Sequence, residues 1–70
     1  MSDTMTTLAP HQQRVVAERA ELSAKLIALA GFFATGTFQT LDAAERARMF
    51  RQIAIMADYV MILDERIAAF

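Results

Sequence analysis

The sequence predicts an all-α chain: a small antiparallel helical hairpin with a short N-terminal arm, assembling into a homo-oligomeric helical bundle. Three observations predict this. Apolar residues recur at steps of three and four in both halves of the chain, the period of a helix face. Neither Pro nor Gly interrupts the stretch after Asp42. Finally, 56% of the 70 residues are hydrophobic, more than two helices can hide against each other.

Residues 1–9 form the expected arm, polar and rich in Thr. Pro10 suits a first helical position, where its missing N–H costs nothing and its φ is already set. The helix it opens is expected to run to about Phe33, with Val15, Leu22, Leu26, Leu29 and Phe33 on one face. Gly31 lies in the last turn and weakens it. The connector from Ala34 to Leu41 holds a glycine and three threonines, and reads as a loop with Phe38 and Leu41 folded back as apolar plugs. Asp42 followed by Glu45 resembles a capping box that starts the second helix. Along that helix Met49, Ile53, Met56, Val60, Leu63, Ile67 and Phe70 form an unbroken heptad seam. Phe50, Ile55, Tyr59, Met61 and Ile62 are also apolar or aromatic but lie off the seam, so this helix is expected to touch several neighbours. Tyr59 is expected in the core. Residues 10–70 therefore make one oligomerisation and ligand-binding domain.

A chain this short buries only about 60% of its unfolded surface, and small folds usually need a staple. Cysteine is absent, which removes disulfides and thiolate metal sites. Association remains. Burying one Leu, Ile or Phe is worth roughly 1.5–3 kcal/mol. Leaving about five exposed would forfeit roughly 10 kcal/mol, comparable with the whole stability of a domain.

The net charge of −1 argues against a general nucleic-acid binder. A helix-turn-helix reader would present a polar, basic recognition helix. The best basic cluster, Arg46, Arg48 and Arg51, lies among Ala, Met and Phe and reads as a solvated face instead, so no DNA partner is expected. No apolar run reaches the eighteen or so residues of a membrane span, and no secretory signal is evident. The expected location is the cytoplasm. No nucleophile–base pair, HExxH or glycine-rich phosphate loop occurs, and the single histidine, His11, cannot build a metal site alone. The chain is not expected to be an enzyme or to hold a cofactor or metal.

The polar groups that could greet a ligand are His11, Gln12, Arg14, Lys25 and Arg66. His11 to Arg14 form the first turn of helix one, where free N–H groups favour an anion. Each cation also has a structural role open to it. Arg14 can pair with Glu18, Lys25 with Glu21, and Arg66 with the C-terminus of its own helix.

The order His-Gln-Gln-Arg-Val-Val at 11–16, Glu21-Leu22, Lys25-Leu26, Phe38, Leu41, Arg51-Gln52, Met56, Tyr59, Ile62-Leu63 and Arg66-Ile67 resembles a family of short helical proteins of crAss-like phages. The resemblance spans residues 10–70. The family includes anti-CBASS sponges, helical hexamers that capture cyclic di- and trinucleotides at subunit interfaces and so starve a bacterial immune effector of its signal. It implies a phage-encoded sponge in the cytoplasm of the infected host that sequesters such signals without cleaving them. By the same resemblance Lys25 covers the ligand as a cation, His11 and Gln12 stack on and hydrogen-bond a base edge, and Arg66 contacts an anion at a second interface. Family members that stack nucleotides strongly carry a tyrosine where this chain has Pro10-His11. The alternative reading is a homo-oligomeric interaction module that blocks a host or phage protein, suited by the Met-rich second helix.

Overall fold

The computed structural model describes residues 7–70. They form three helices, α1 (Pro10–Phe32), α2 (Gly36–Thr40) and α3 (Ala43–Ala68), with no strand among the described residues. The arm expected over residues 1–9 lies, through residue 6, outside the described residues.

Pro10 does open α1. Its N-cap is Ala9, whose side chain has no acceptor to offer, so the end is closed from inside the helix. The Ala9 N–H donates to Gln12 Oε1 at 2.9 Å, half of a capping box. Gln13 Nε2 donates to the Leu8 carbonyl at 2.9 Å and ties the preceding chain down. At the other end the N–H groups of Phe33, Ala34 and Thr35 each donate to the carbonyl three residues back. The exit of the helix is thus tightened toward 3₁₀ geometry.

The connector is more ordered than a loop. Thr35 caps a five-residue helix, accepting from the Phe38 N–H through Oγ1 at 3.3 Å. Phe38 is 4% exposed and anchors that turn in a cluster of rings. Its centroid lies 4.8 Å from Phe33, 5.6 Å from Phe50 and 6.1 Å from Phe32, the range of favourable tilted and edge-to-face contacts. Phe38 is therefore the apolar plug that the sequence predicts, held in a helical turn. Asp42 then caps α3 as expected, its Oδ1 accepting from the Glu45 N–H at 2.7 Å.

Phe33, just past the end of α1, stacks at 4.8 Å on Phe50 near the start of α3. Arg19, in the first half of α1, reaches Asp64 near the end of α3. The two long helices therefore lie side by side and run in opposite directions. Between them the heptad seam of α3 faces the Val15–Phe33 row of α1. Leu63 is fully buried and Val15 nearly so, while Met49, Ile53, Met56, Val60 and Ile67 are half-buried. The last seam residue, Phe70, departs from the pattern and is exposed.

The result is a rod of 47 × 20 × 15 Å with a radius of gyration of 15.8 Å, against about 11 Å for a compact domain of this length. Only Val15, Phe38 and Leu63 are buried apolar residues among those described. Ile27, Ile55 and Met61 are 69%, 66% and 58% exposed, and Phe50 and Ile62 are both 53% exposed. Large apolar side chains wet on this scale are rare on a lone soluble chain. The buried core of the described residues is small.

Candidate ligand-binding flank

Two antiparallel helices that share a buried seam leave two flanks, one on either side of it. Residues spaced three and four apart on a helix share a flank. On α1, His11, Arg14, Glu18, Glu21 and Lys25 step by three, four, three and four, and all are exposed. On α3, Arg48, Gln52, Ile55, Tyr59, Ile62 and Arg66 make the matching row, also exposed. The two rows meet where the Tyr59 hydroxyl donates to Glu18 Oε2.

Beside that hydrogen bond lies a cleft of about 250 Å³ lined by Glu18, Glu21, Leu22, Lys25 and Tyr59. This is smaller than the roughly 300–1,000 Å³ of a pocket that swallows a whole small ligand. It suits one base-sized group, with the rest of a ligand lying along the flank or against another chain. Tyr59 keeps its proton to higher pH than usual. The hydrogen bond to Glu18 is the main cause, burial and the Glu18 charge add to it, and Arg66 opposes it. Arg66 is therefore within electrostatic reach of the Tyr59 ring, two helical turns along the same row.

Four of the five expected ligand residues, His11, Arg14, Lys25 and Arg66, thus stand on one flank, while Gln12 does not. Gln12 lies on the other side of α1 with its amide oxygen occupied by the Ala9 N–H. His11 and Lys25 are roughly 20 Å apart along α1 at 1.5 Å per residue. One ligand of nucleotide size can meet both only if a second chain brings another copy of one of them alongside.

Other expectations need correction. Tyr59 is not a core residue: it is 41% exposed and its ring walls the cleft. The ion pairs among the described residues are Arg19–Asp64 and Arg48–Glu45, so the Arg14–Glu18 and Lys25–Glu21 pairs open to the sequence do not form. Glu18 takes the Tyr59 hydroxyl instead. Arg66 does stand in the last turn of its helix. Arg46 is not on a fully solvated face, since its Nε is buried with no hydrogen-bond partner, beside a cleft walled by Phe38 and Phe50.

Across the opposite flank Arg19 Nε and Nη2 donate to the two oxygens of Asp64 at 2.7 and 3.4 Å. This pair holds the Asp64 carboxyl below the usual carboxylate range, chiefly through the hydrogen bond from Arg19. The rest of that flank is nearly uncharged. On α1 it runs Val16, Ala20, Ser23, Ile27 and Ala30, and on α3 Phe50, Ala54, Ala57 and Met61. Neither sequence spacing nor residue type marked Arg19 in advance, because its partner lies 45 residues away.

Among the described residues no helix is long and apolar enough to cross a membrane. Neither a curated protein nor a solved structure matches the chain. A protein-family model does match, that of Sequestin, over residues 9–69. That span takes in both long helices, the rows of both flanks up to the last turn of α3, and every residue of the cleft. The chain belongs to the Sequestin family.

Proposed function

We propose that this protein is a phage-encoded anti-defence sponge that sequesters cyclic oligonucleotide immune signals at the interfaces of a homo-oligomer, without cleaving them, in the cytoplasm of the infected bacterium. One observation carries the reading. A chain of a family named for sequestration sets Arg14, Lys25 and Arg66 along one open flank beside an exposed tyrosine. A cyclic dinucleotide offers two phosphates and two bases about an approximate two-fold axis. Two chains packed about such an axis present each cation twice, one for each phosphate, and planar groups to cover each base. A cleft too small for the whole ligand is then completed by the second copy.

Lys25 covers the ligand as a cation, Arg66 contacts an anion at a second interface, and His11 stacks on a base delivered by the neighbouring chain. Gln12 keeps its oxygen on the Ala9 N–H and donates to a base edge through its amide NH2. The nearly uncharged flank packs against other copies, and the resemblance to the phage sponges implies a hexamer. Sequestration needs only stoichiometric binding.

Calorimetry with a panel of cyclic di- and trinucleotides tests the reading. One of them is expected to bind with a fixed ratio to subunits and to be recovered intact; silence from all of them at tens of micromolar overturns it. A second reading, an interaction module that blocks a host or phage protein, is favoured by the exposure of Met61 and Ile55 on α3. It expects a stoichiometric protein partner in a pull-down from host lysate.

A further inference from the structure

We infer that Glu18, held by Tyr59, is a base-reading group that selects guanine in the ligand. The inference rests on the sponge reading and concerns which base the cleft accepts. Glu18 sits at the middle of the flank, between Lys25 seven residues along α1 and Arg66 seven residues beyond Tyr59 on α3. At 1.5 Å per residue each cation stands roughly 10 Å from the Glu18–Tyr59 pair along its helix, about the reach from a nucleotide's base to its phosphate.

The sorting of charge decides which part of the ligand lies where. Glu18 and Glu21 both line the cleft, and two carboxylates repel a phosphate. The phosphate beside the base therefore goes outward to Lys25, while Arg66, on the far side of the pair, is left for the anion at the second interface. The base takes the middle. There the Tyr59 ring, exposed and beside the cleft, offers a stacking face.

The carboxylate then discriminates among bases. An ionised carboxylate only accepts hydrogen bonds, at about four lone-pair sites. Tyr59 occupies one of them on Oε2 and fixes the orientation of the group. Among the four bases guanine alone presents two adjacent donors on its Watson–Crick edge, N1–H and the 2-amino group, which match the two oxygens of a carboxylate. Adenine turns an acceptor, N1, toward the same place. Hydrogen bonds to a charged group are worth more than neutral ones, so the preference is expected to be about tenfold or more.

The test is calorimetry of the full-length wild-type assembly with cyclic di-GMP and cyclic di-AMP, repeated on Glu18→Gln and Tyr59→Phe. Wild type is expected to bind cyclic di-GMP at least about tenfold more tightly. A glutamine presents one donor and one acceptor, which suits adenine, so Glu18→Gln erases or reverses the ratio. Tyr59→Phe keeps the ring but frees the carboxylate, so it lowers cyclic di-GMP affinity more than cyclic di-AMP affinity and narrows the ratio. This conservative variant keeps the question answerable if Glu18→Gln fails to assemble. Equal binding of both ligands, with a ratio that neither variant moves, overturns the base assignment while the sponge reading stands. Binding of neither ligand by wild type, with another member of the panel bound, also overturns it. Silence from the whole panel removes the sponge reading itself.

Discussion

Glu18 and Arg19 are neighbours in the chain, yet they serve opposite sides of the molecule. Glu18 meets Tyr59 on a flank crowded with ionisable groups. Arg19 meets Asp64 on a flank that is mostly alanine and apolar side chains, Val16, Ile27, Phe50 and Met61 among them. Both flanks are bounded by the same buried seam and both are bridged by one polar contact between α1 and α3. What separates them is the spacing of charge. A row of five polar or charged residues from His11 to Lys25 makes one flank costly to dehydrate against a greasy surface. The lack of such a row leaves the other smooth enough to pack against a copy of itself. Amphipathicity here has three faces, and the proposed assembly uses the third.

The largest effect is expected from breaking the smooth flank. Ile27 and Met61 are 69% and 58% exposed, so Ile27→Asp and Met61→Asp remove little from the single hairpin. Burial in an assembly is worth roughly 1.5–3 kcal/mol for each such side chain, and an unpaired buried carboxylate costs more. Each substitution should weaken association by a hundredfold or more, and sedimentation should show the assembly falling apart at micromolar concentration. If the assembly survives both, the smooth flank is not the seam between copies.

Lys25→Ala probes the other flank. Its side chain is exposed and forms no ion pair among those described, so the fold and the assembly should be unaffected. Nucleotide affinity should fall by about tenfold to a hundredfold, as when a charged hydrogen bond is lost. A Lys25→Ala protein that sediments as wild type but no longer binds would separate the two flanks cleanly. Binding as tight as wild type would move the ligand elsewhere.

The contrast also shows which parts of the structure a sequence displays. Pro10, the Asp42 cap and the seam from Met49 to Ile67 are local or periodic features, and each could be read directly. The short helix from Gly36 to Thr40 could not. Gly and Thr are poor helix formers, and the turn is held by Phe38 packing on Phe33 and Phe50, a tertiary effect. The same limit hid the polar bridges. Pairs one turn apart, such as Arg14 with Glu18, are worth only about 0.2–0.5 kcal/mol, so a partner on the other helix displaces them easily. Aromatic character alone does not distinguish the seam from its border, so sequence reads Tyr59 as core. Its position three residues from Met56 and four from Leu63 puts it beside the seam, and an acceptor on α1 was needed to hold it there.

A smaller effect is expected at Gly31, on the smooth side of α1. A Cβ added there meets nothing within 4 Å in the single chain, so Gly31→Ala should raise stability by up to about 1 kcal/mol through helix propensity. Thermal denaturation measures it. A loss of stability or of assembly would mean that a neighbouring chain approaches closely at Gly31, which would place the seam between copies at that end of the rod.

The smallest effect separates the flanks by pH. The Asp64 carboxyl is held below its ordinary range by Arg19. Its contribution is therefore present above the ordinary aspartate range and is lost as pH falls through the lowered value. The guanidinium stays charged throughout. Tyr59 is shifted the other way, upward, by its hydrogen bond to Glu18. That bond is intact below the ordinary tyrosine range and is lost as pH rises through the raised value, when phenolate and carboxylate repel. Both groups are solvent-facing, so each effect is small and fades with salt. Asp64→Asn should lie slightly below wild type in stability at neutral pH and converge with it in strong acid. Tyr59→Phe should diverge from wild type at neutral pH and converge in strong alkali. Denaturation curves recorded across pH at low salt check both, and a single shared limb for the two variants would show that the bridges do not act independently on their separate flanks.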